Sequence, residues 1–243
     1  MKKNIILLFA ILTGMFLLSC KGETGPAGAT GEDGKPLYVQ MFQYNVYPGS
    51  TYQNAYDSLI INDGYPTRNY GRCDILALVS GYIGTSRLVL KFGNLDNFIP
   101  ANVTIKDAYL VLYGGNLVTF TASNISAYKL TRNWTEGTGD CSGSETTNVS
   151  WNNYSGSNLW TNPGGDFETT PISDAVKVNT YVSYHTLKLN TTVVKDWIQS
   201  PSTNYGIVVK VTDETKASFI QFAGKEFSTL SWRPKLVIYY TIP

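Results

Sequence analysis

From about Tyr38 to its end the chain alternates apolar and polar residues one by one, in short runs broken by Gly, Asn, Asp and Pro. Leu88, Leu90 and Phe92 fall on one side of such a run, and Arg87, Val89 and Lys91 on the other. The same period holds for Ala108, Leu110 and Leu112, for Ile207, Val209 and Val211, and for Leu236, Ile238 and Tyr240. A period of two marks half-buried strands. Roughly ten such segments at regular spacing predict an all-β fold, a two-sheet antiparallel β-sandwich of jelly-roll type. One stretch departs from the pattern: Val193, Val194, Trp197 and Ile198 have helical spacing, behind Thr191 or Thr192 as cap and before Pro201. A short helix near 192–199 is therefore expected to plug one end of the sandwich. Residues 137–174 are rich in Gly, Ser, Asn and Thr without periodicity and read as long loops at one rim.

Composition agrees with strands and loops. Of 243 residues 43% are hydrophobic and only 15% charged, with 17 Tyr against 10 Phe, which excludes disorder and coiled coil. The formal charge is +1, or −1 once Lys2 and Lys3 leave with a signal peptide, so nothing predicts a nucleic-acid partner. A single His and three Cys leave little for zinc or a thiol nucleophile.

The start of the chain reads as an export signal. Met1, Lys2 and Lys3 precede an apolar run from Ile5 to Leu18, too short for a spanning helix. Leu17-Leu18-Ser19-Cys20 resembles a bacterial lipobox, so residues 1–19 are expected to be removed and Cys20 lipidated, with membrane contact only through that anchor. Lys21 replaces the Asp that would suggest inner-membrane retention, which favours the outer membrane or cell surface. Gly22, Gly25, Gly28, Gly31 and Gly34 then mark five collagen-like triplets in the tether 20–36. Glycine at every third residue is what a triple-helix axis demands. The tract is either a seed for a homotrimer through residues 22–36 or an extended spacer of roughly 50 Å. With Cys20 lipidated, Cys73 and Cys141 form an even pair in an oxidising compartment, and a bridge between them would stabilise by about 2 to 4 kcal/mol.

Residues 37–243 carry motifs that resemble, in order, the DNRLRE domain, the group that includes carbohydrate-binding module family 96. They are Asp57; Asn69-Tyr70-Gly71; Arg87 to Phe92; Ala108 to Tyr113; Trp134-Thr135-Glu136; Ser150-Trp151-Asn152; Trp197; Asn204-Tyr205-Gly206-Ile207; and Arg233 to Tyr240. The resemblance implies a β-sandwich of secreted bacterial surface proteins and polysaccharide-degrading enzymes, some of whose members bind alginate or related polymers. The chain departs from that pattern at Gly224-Lys225-Glu226 and in a longer insertion around Asp140 to Ser144.

No catalytic motif is present: neither Gly-x-Ser-x-Gly, nor a phosphate-binding Gly-x-x-x-x-Gly-Lys, nor His-Glu-x-x-His. His185 lies in a strand pattern and reads as a surface or cross-strand residue. The expected role is polysaccharide binding without catalysis; the alternative is a structural or adhesive protein trimerised by its collagen-like tract. Trp134, Trp151 and Trp197 read as core fillers, Arg87 and Glu226 as an ion pair, and the two Asn-Tyr-Gly motifs as glycine-dependent turns. For the glycan, Tyr154 and Trp160 are the candidate stacking rings in the polar loop, unless Trp160 folds back to pin that loop. Arg132 and Lys129 are the candidate partners of a sugar carboxylate. Asp140, Asp166 and Asp174 are hard oxygen ligands suited to a structural calcium.

Overall fold

The computed structural model describes residues 34–243 except 82–83, 117–122 and 180–181. The signal sequence, Cys20 and the triplets before Gly34 lie outside the described residues. The strands are β1 (Tyr38–Phe42), β2 (Ala55–Asn62), β3 (Ile75–Ser80), β4 (Thr85–Phe92), β5 (Thr104–Asn116), β6 (Ser123–Leu130), β7 (Asn153–Ser155), β8 (Asn158–Leu159), β9 (Phe167–Pro171), β10 (Val176–Val178), β11 (Ser183–Lys188), β12 (Ile207–Val211), β13 (Ser218–Ala223) and β14 (Lys235–Thr241), with one helix, α1 (Thr191–Gln199).

Two antiparallel sheets form a sandwich, as the alternation predicts. The first runs β1-β14-β5-β13-β3 with β11 also on β5; the second runs β10-β6-β12-β4-β2 with β9 also on β6. From β2 to β6 the chain changes sheet at every strand, so strands distant in sequence become neighbours and the register rests on side-chain pattern. The inward positions, Leu88 and Leu90 on β4, Leu110 on β5, Val209 on β12 and Ile238 on β14, are fully or almost fully buried in one core.

Helix α1 closes this core with Val194, Trp197 and Ile198. Its cap is Asn190, one residue before the expected threonines: the Asn190 side chain accepts the amide protons of Thr192 and Val193 at 2.9 and 3.3 Å. An amide oxygen at that position satisfies donors that the first turn leaves orphaned. His185 is a cross-strand residue opposite Leu112, and it is buried rather than exposed, with Nε2 3.1 Å from the Gly114 carbonyl oxygen.

The second sheet departs from the half-buried pattern. On its outer face Ile60, Val89, Leu130 and Val208 are buried under Trp134, Val149, Trp151 and Trp160, which form a second apolar cluster. Much of the segment read as rim loops, 137–174, instead lies across this face and contains β7 and β8, while β9 joins the sheet itself by pairing with β6. Val89 does face away from Leu88 and Leu90, but into this cover rather than into water. Trp134 and Trp151 are core residues of the cover, and Trp197 is a core residue of the sandwich. Trp160 is only 4% exposed and its indole N–H donates to the Ser150 carbonyl at 3.0 Å, so the ring pins its own segment.

Cys73 and Cys141 are bonded, closing a sequence separation of 68 and tying the covering segment to the start of β3. Reduction should therefore lower stability by about 2 to 4 kcal/mol, read as a lower Tm with reductant than without; equal melting curves would contradict it. Trp160→Ala should cost about 3 to 5 kcal/mol, a fall in Tm on the order of 10 °C. An unchanged Tm would mean that the cover is not held by this ring.

Candidate functional site

The residues first expected to meet a sugar are engaged elsewhere. Trp160 is buried, as above. Arg132 Nε donates to Asp166 Oδ2 at 2.7 Å, and its guanidinium lies 4.9 Å from the Tyr154 ring centre, so Arg132 and Tyr154 do meet, with Trp160 5.8 Å beyond Tyr154. The bidentate fork that a uronate would need is thus partly occupied by a protein carboxylate. Lys129 stands apart from this group and pairs with Glu168 on β9 at 3.3 Å.

The three aspartates considered for calcium do not converge. Burial alone would raise the Asp166 carboxyl, but the amides of Thr161 and Asn162 and the Arg132 guanidinium hold it below the usual range. Asp140 accepts from the Ser142 amide and hydroxyl within its own turn, and among the described residues Asp174 forms no metal-ligating group with either of the other two. The one group with metal-ligating proximity among the described residues is Cys73, Asp74 and Cys141, whose sulfurs are bonded to each other.

Arg87 pairs with Glu214, not with Glu226. Its Nε and Nη2 donate to the two Glu214 carboxylate oxygens at 2.8 Å each, and its Nη1 donates to the Gly164 carbonyl at 2.7 Å. Strand alternation sets this choice, because Arg87 shares the outer face of β4 with Val89 and lies under the cover beside Trp151.

Glu226 belongs to a different cluster, where motifs far apart in sequence meet. Asp57 on β2 is almost fully buried; its Oδ2 accepts the Lys225 amide at 2.6 Å, and its own amide donates to Glu136 Oε1 at 2.7 Å. The Lys225 ammonium bonds Glu226 and lies 3.5 Å from Glu136 Oε2. Asp57 Oδ1 is buried without a partner among the described residues. Burial pushes Asp57 up to about 7 against the pull of Lys225. Burial and the nearby Asp57 push Glu136 up to about 8, again against Lys225. Burial works to lower Lys225, but Glu136, Glu226 and Asp57 outweigh it and raise its pKa.

Two asparagines fix the surrounding backbone. Asn69 Nδ2 donates to the carbonyls of Glu136 and Val149 at 2.6 and 2.7 Å, while its Oδ1 accepts the amides of Gly71 and Gly139. Asn204 repeats the device, donating to the Phe92 carbonyl at 2.8 Å and accepting the Gly206 amide at 3.2 Å. The two glycines serve different needs. Gly206 has φ +84°, the left-handed region that other residues resist. Gly71 has no positive φ; a Cβ there would lie 2.2 Å from the Glu136 carbonyl oxygen, so space excludes a side chain.

The cluster opens on a polar cleft at the end of the covering layer. Tyr56 and Lys91, directly opposite each other on β2 and β4, line two adjoining cavities of about 440 and 230 Å³. The larger adds Trp134, Glu136 and Asn148; the smaller adds Asn54, Asn133 and Tyr205. Lys91 Nζ donates to Asn133 Oδ1 at 3.1 Å and lies 4.9 and 5.6 Å from the Tyr56 and Trp134 ring centres. Desolvation lowers its pKa, with Glu136 opposing. Among the described residues no carboxylate lies within ion-pair distance of Lys91. A half-buried ammonium held by rings and an amide, beside open space, is an anion-accepting arrangement. Sequence reading missed this site, although it did place Lys91 on the outer side of its strand. Comparison with protein-family models and with curated proteins finds no match to the chain.

The raised carboxyls fix the sign of the pH dependence. A folded-state pKa above the unfolded value means that the folded protein binds more protons, so stability falls as pH rises through that interval. Between about pH 5 and pH 8 the two large carboxyl shifts outweigh His185, whose lowered pKa works in the opposite sense up to its ordinary value, so the Tm should fall, and Glu136→Gln should flatten the slope. Below about pH 4 the depressed Asp166 and Glu214 reverse the trend, since their stabilisation is lost on protonation. A Tm that rises from pH 5 to pH 8 would refute the cluster's role.

Proposed function

We propose that the chain is an exported, lipid-anchored surface protein whose β-sandwich binds an acidic polysaccharide without cleaving it. The observation that carries this reading is Lys91, a half-buried cation without a carboxylate in ion-pair distance among the described residues, at the junction of two open cavities, the smaller of them lined by asparagines. A uronate or other acidic sugar supplies the missing anion, and the amides of Asn54, Asn94 and Asn133 offer donors and acceptors to its hydroxyls. Tyr56 and Tyr205 add ring surface on the same walls. The ordered DNRLRE-like motifs support the same class of ligand, and the lipobox and Gly-x-y tether support display of the domain away from the membrane.

The test is affinity electrophoresis of the full chain in gels containing alginate, pectin or neutral β-glucan, beside Lys91→Met. A charge-assisted hydrogen bond contributes about 1.5 to 3 kcal/mol, so the variant should bind the acidic polymer about 10- to 100-fold more weakly. Retention should also weaken with salt. Equal retention of the variant would remove the cleft from the reading, and new chain ends in the polymer would replace binding with cleavage.

A further inference from the structure

The Lys91 cleft and the buried carboxyl cluster share one residue. Glu136 lines the larger cavity, of about 440 Å³, together with Lys91, Tyr56 and Trp134. In the cluster its Oε1 accepts the Asp57 amide at 2.7 Å, and its Oε2 lies 3.5 Å from the Lys225 ammonium. The charges around Glu136 leave it short of compensation. From β2 come the buried Asp57 and the Tyr56 phenol, and from β4 comes Lys91. After β13 come Lys225 and Glu226, whose carboxylate bonds the Lys225 ammonium itself. Before β14, Arg233 acts electrostatically on Asp57, and Tyr44 after β1 has its ring centre 4.9 Å from the Lys225 ammonium. Lys225 thus serves three carboxyls, and burial pushes Glu136 up to about 8 against it.

An anion seated at Lys91 adds a negative charge to the cavity that Glu136 lines. Ionised Glu136 repels that anion and itself attracts the Lys91 ammonium; protonated Glu136 does neither. We propose that Glu136 is a proton-operated gate on the cleft, admitting acidic polymers when protonated and disfavouring them when ionised, an inference that rests on the acidic-polysaccharide reading of Lys91. The sign follows from linkage. A bound anion raises the proton affinity of Glu136, so by reciprocity a bound proton raises the affinity for the anion. Affinity therefore falls as pH rises through the range in which Glu136 ionises. The carboxyls of alginate and polygalacturonate are fully ionised above about pH 6, as ordinary carboxyls are, so a change above that pH belongs to the protein.

The experiment is affinity electrophoresis of the full chain in alginate and in polygalacturonate from about pH 6 to about pH 9. A bound uronate that raises Glu136 by one further unit gives about a tenfold loss of affinity across that interval. Glu136→Gln, which keeps an acceptor for the Asp57 amide, should bind as the protonated form does and lose most of this dependence. Calorimetry with alginate oligomers at about pH 8, in two buffers of different ionisation enthalpy, should show net proton uptake on binding. Glu136→Gln should show little uptake, whereas Lys91→Arg, whose cation does not titrate, should retain it. A merely structural Glu136 exchanges no proton when the ligand binds, so this readout separates the gate from a role in folding. Melting curves identify a Gln variant that has failed to fold, in which case the unaltered protein and Lys91→Arg carry the test. Retention independent of pH, or proton uptake that persists in Glu136→Gln or vanishes in Lys91→Arg, would overturn the gate and leave the Lys91 reading standing. Absence of retention by both polymers at every pH would instead remove that reading, and the gate with it.

Discussion

A sheet with apolar side chains on both faces has to be covered on both, and the second sheet of this protein is such a sheet. Ile60, Val89, Leu130 and Val208 point away from the core between the sheets, and in water they would expose a continuous apolar patch. The chain answers by laying much of the segment 137–174 over them. Gly, Asn and Ser allow that segment to follow the face with only short strands as regular structure, and its Trp151 and Trp160, with Trp134 just before it, supply the apolar area. The Cys73-Cys141 bond and the Asn69 side chain then hold the cover to the frame beside an isolated backbone bridge between Asn69 and Glu145.

The cover also explains why this protein keeps two ionic arrangements of opposite character. Arg87 and Glu214 meet as a two-pronged pair with carbonyl and ring contacts completing the guanidinium's surroundings, and the pairing outweighs burial to hold the Glu214 carboxyl below its usual range. Asp57, Glu136, Glu226 and Lys225 hold three carboxyls against one ammonium, and one oxygen of Asp57 is left without a partner. Desolvation is then only partly offset, which is why Asp57 and Glu136 hold protons more tightly than free carboxyls. The gain is positional: the cluster joins β2, the start of the cover and the end of β13 at one point. Removing one partner of such a buried group usually costs more than the group contributes, which keeps all its members interdependent.

The sandwich and the helix were legible because strand and helix periods are local properties. The cap slipped by one residue because Asn190 and Thr191 are both good caps, and only backbone geometry separates them. The cover was not legible as such: polar composition between residues 137 and 174 reads as a rim, and the alternation on β4 cannot say whether Val89 meets water or tryptophan. Arg87 and Glu226 share an ordered motif set but stand at different places in the fold, a distance that sequence order does not carry. The cleft was missed for the same reason. Tyr56, Lys91 and Asn133 come from three separate segments, and Lys91 is set apart only by having no carboxylate within ion-pair distance among the described residues, which no spacing shows.

The outer row of β4 links these observations. Arg87, Val89 and Lys91 succeed each other on one face of one strand, at about 6.8 Å intervals. Arg87 lies beneath the cover and has its carboxylate; Val89 lies beneath it and needs none; Lys91 stands where the cover gives way to the cleft. Two cations on the same strand face thus differ because the layer above one of them ends before it reaches the other. Had the cover extended one more residue pair along β4, Lys91 would need a buried partner as Arg87 does. Because it stops short, the same physical demand is left open toward solvent, and the edge of a packing layer becomes the wall of a binding cleft.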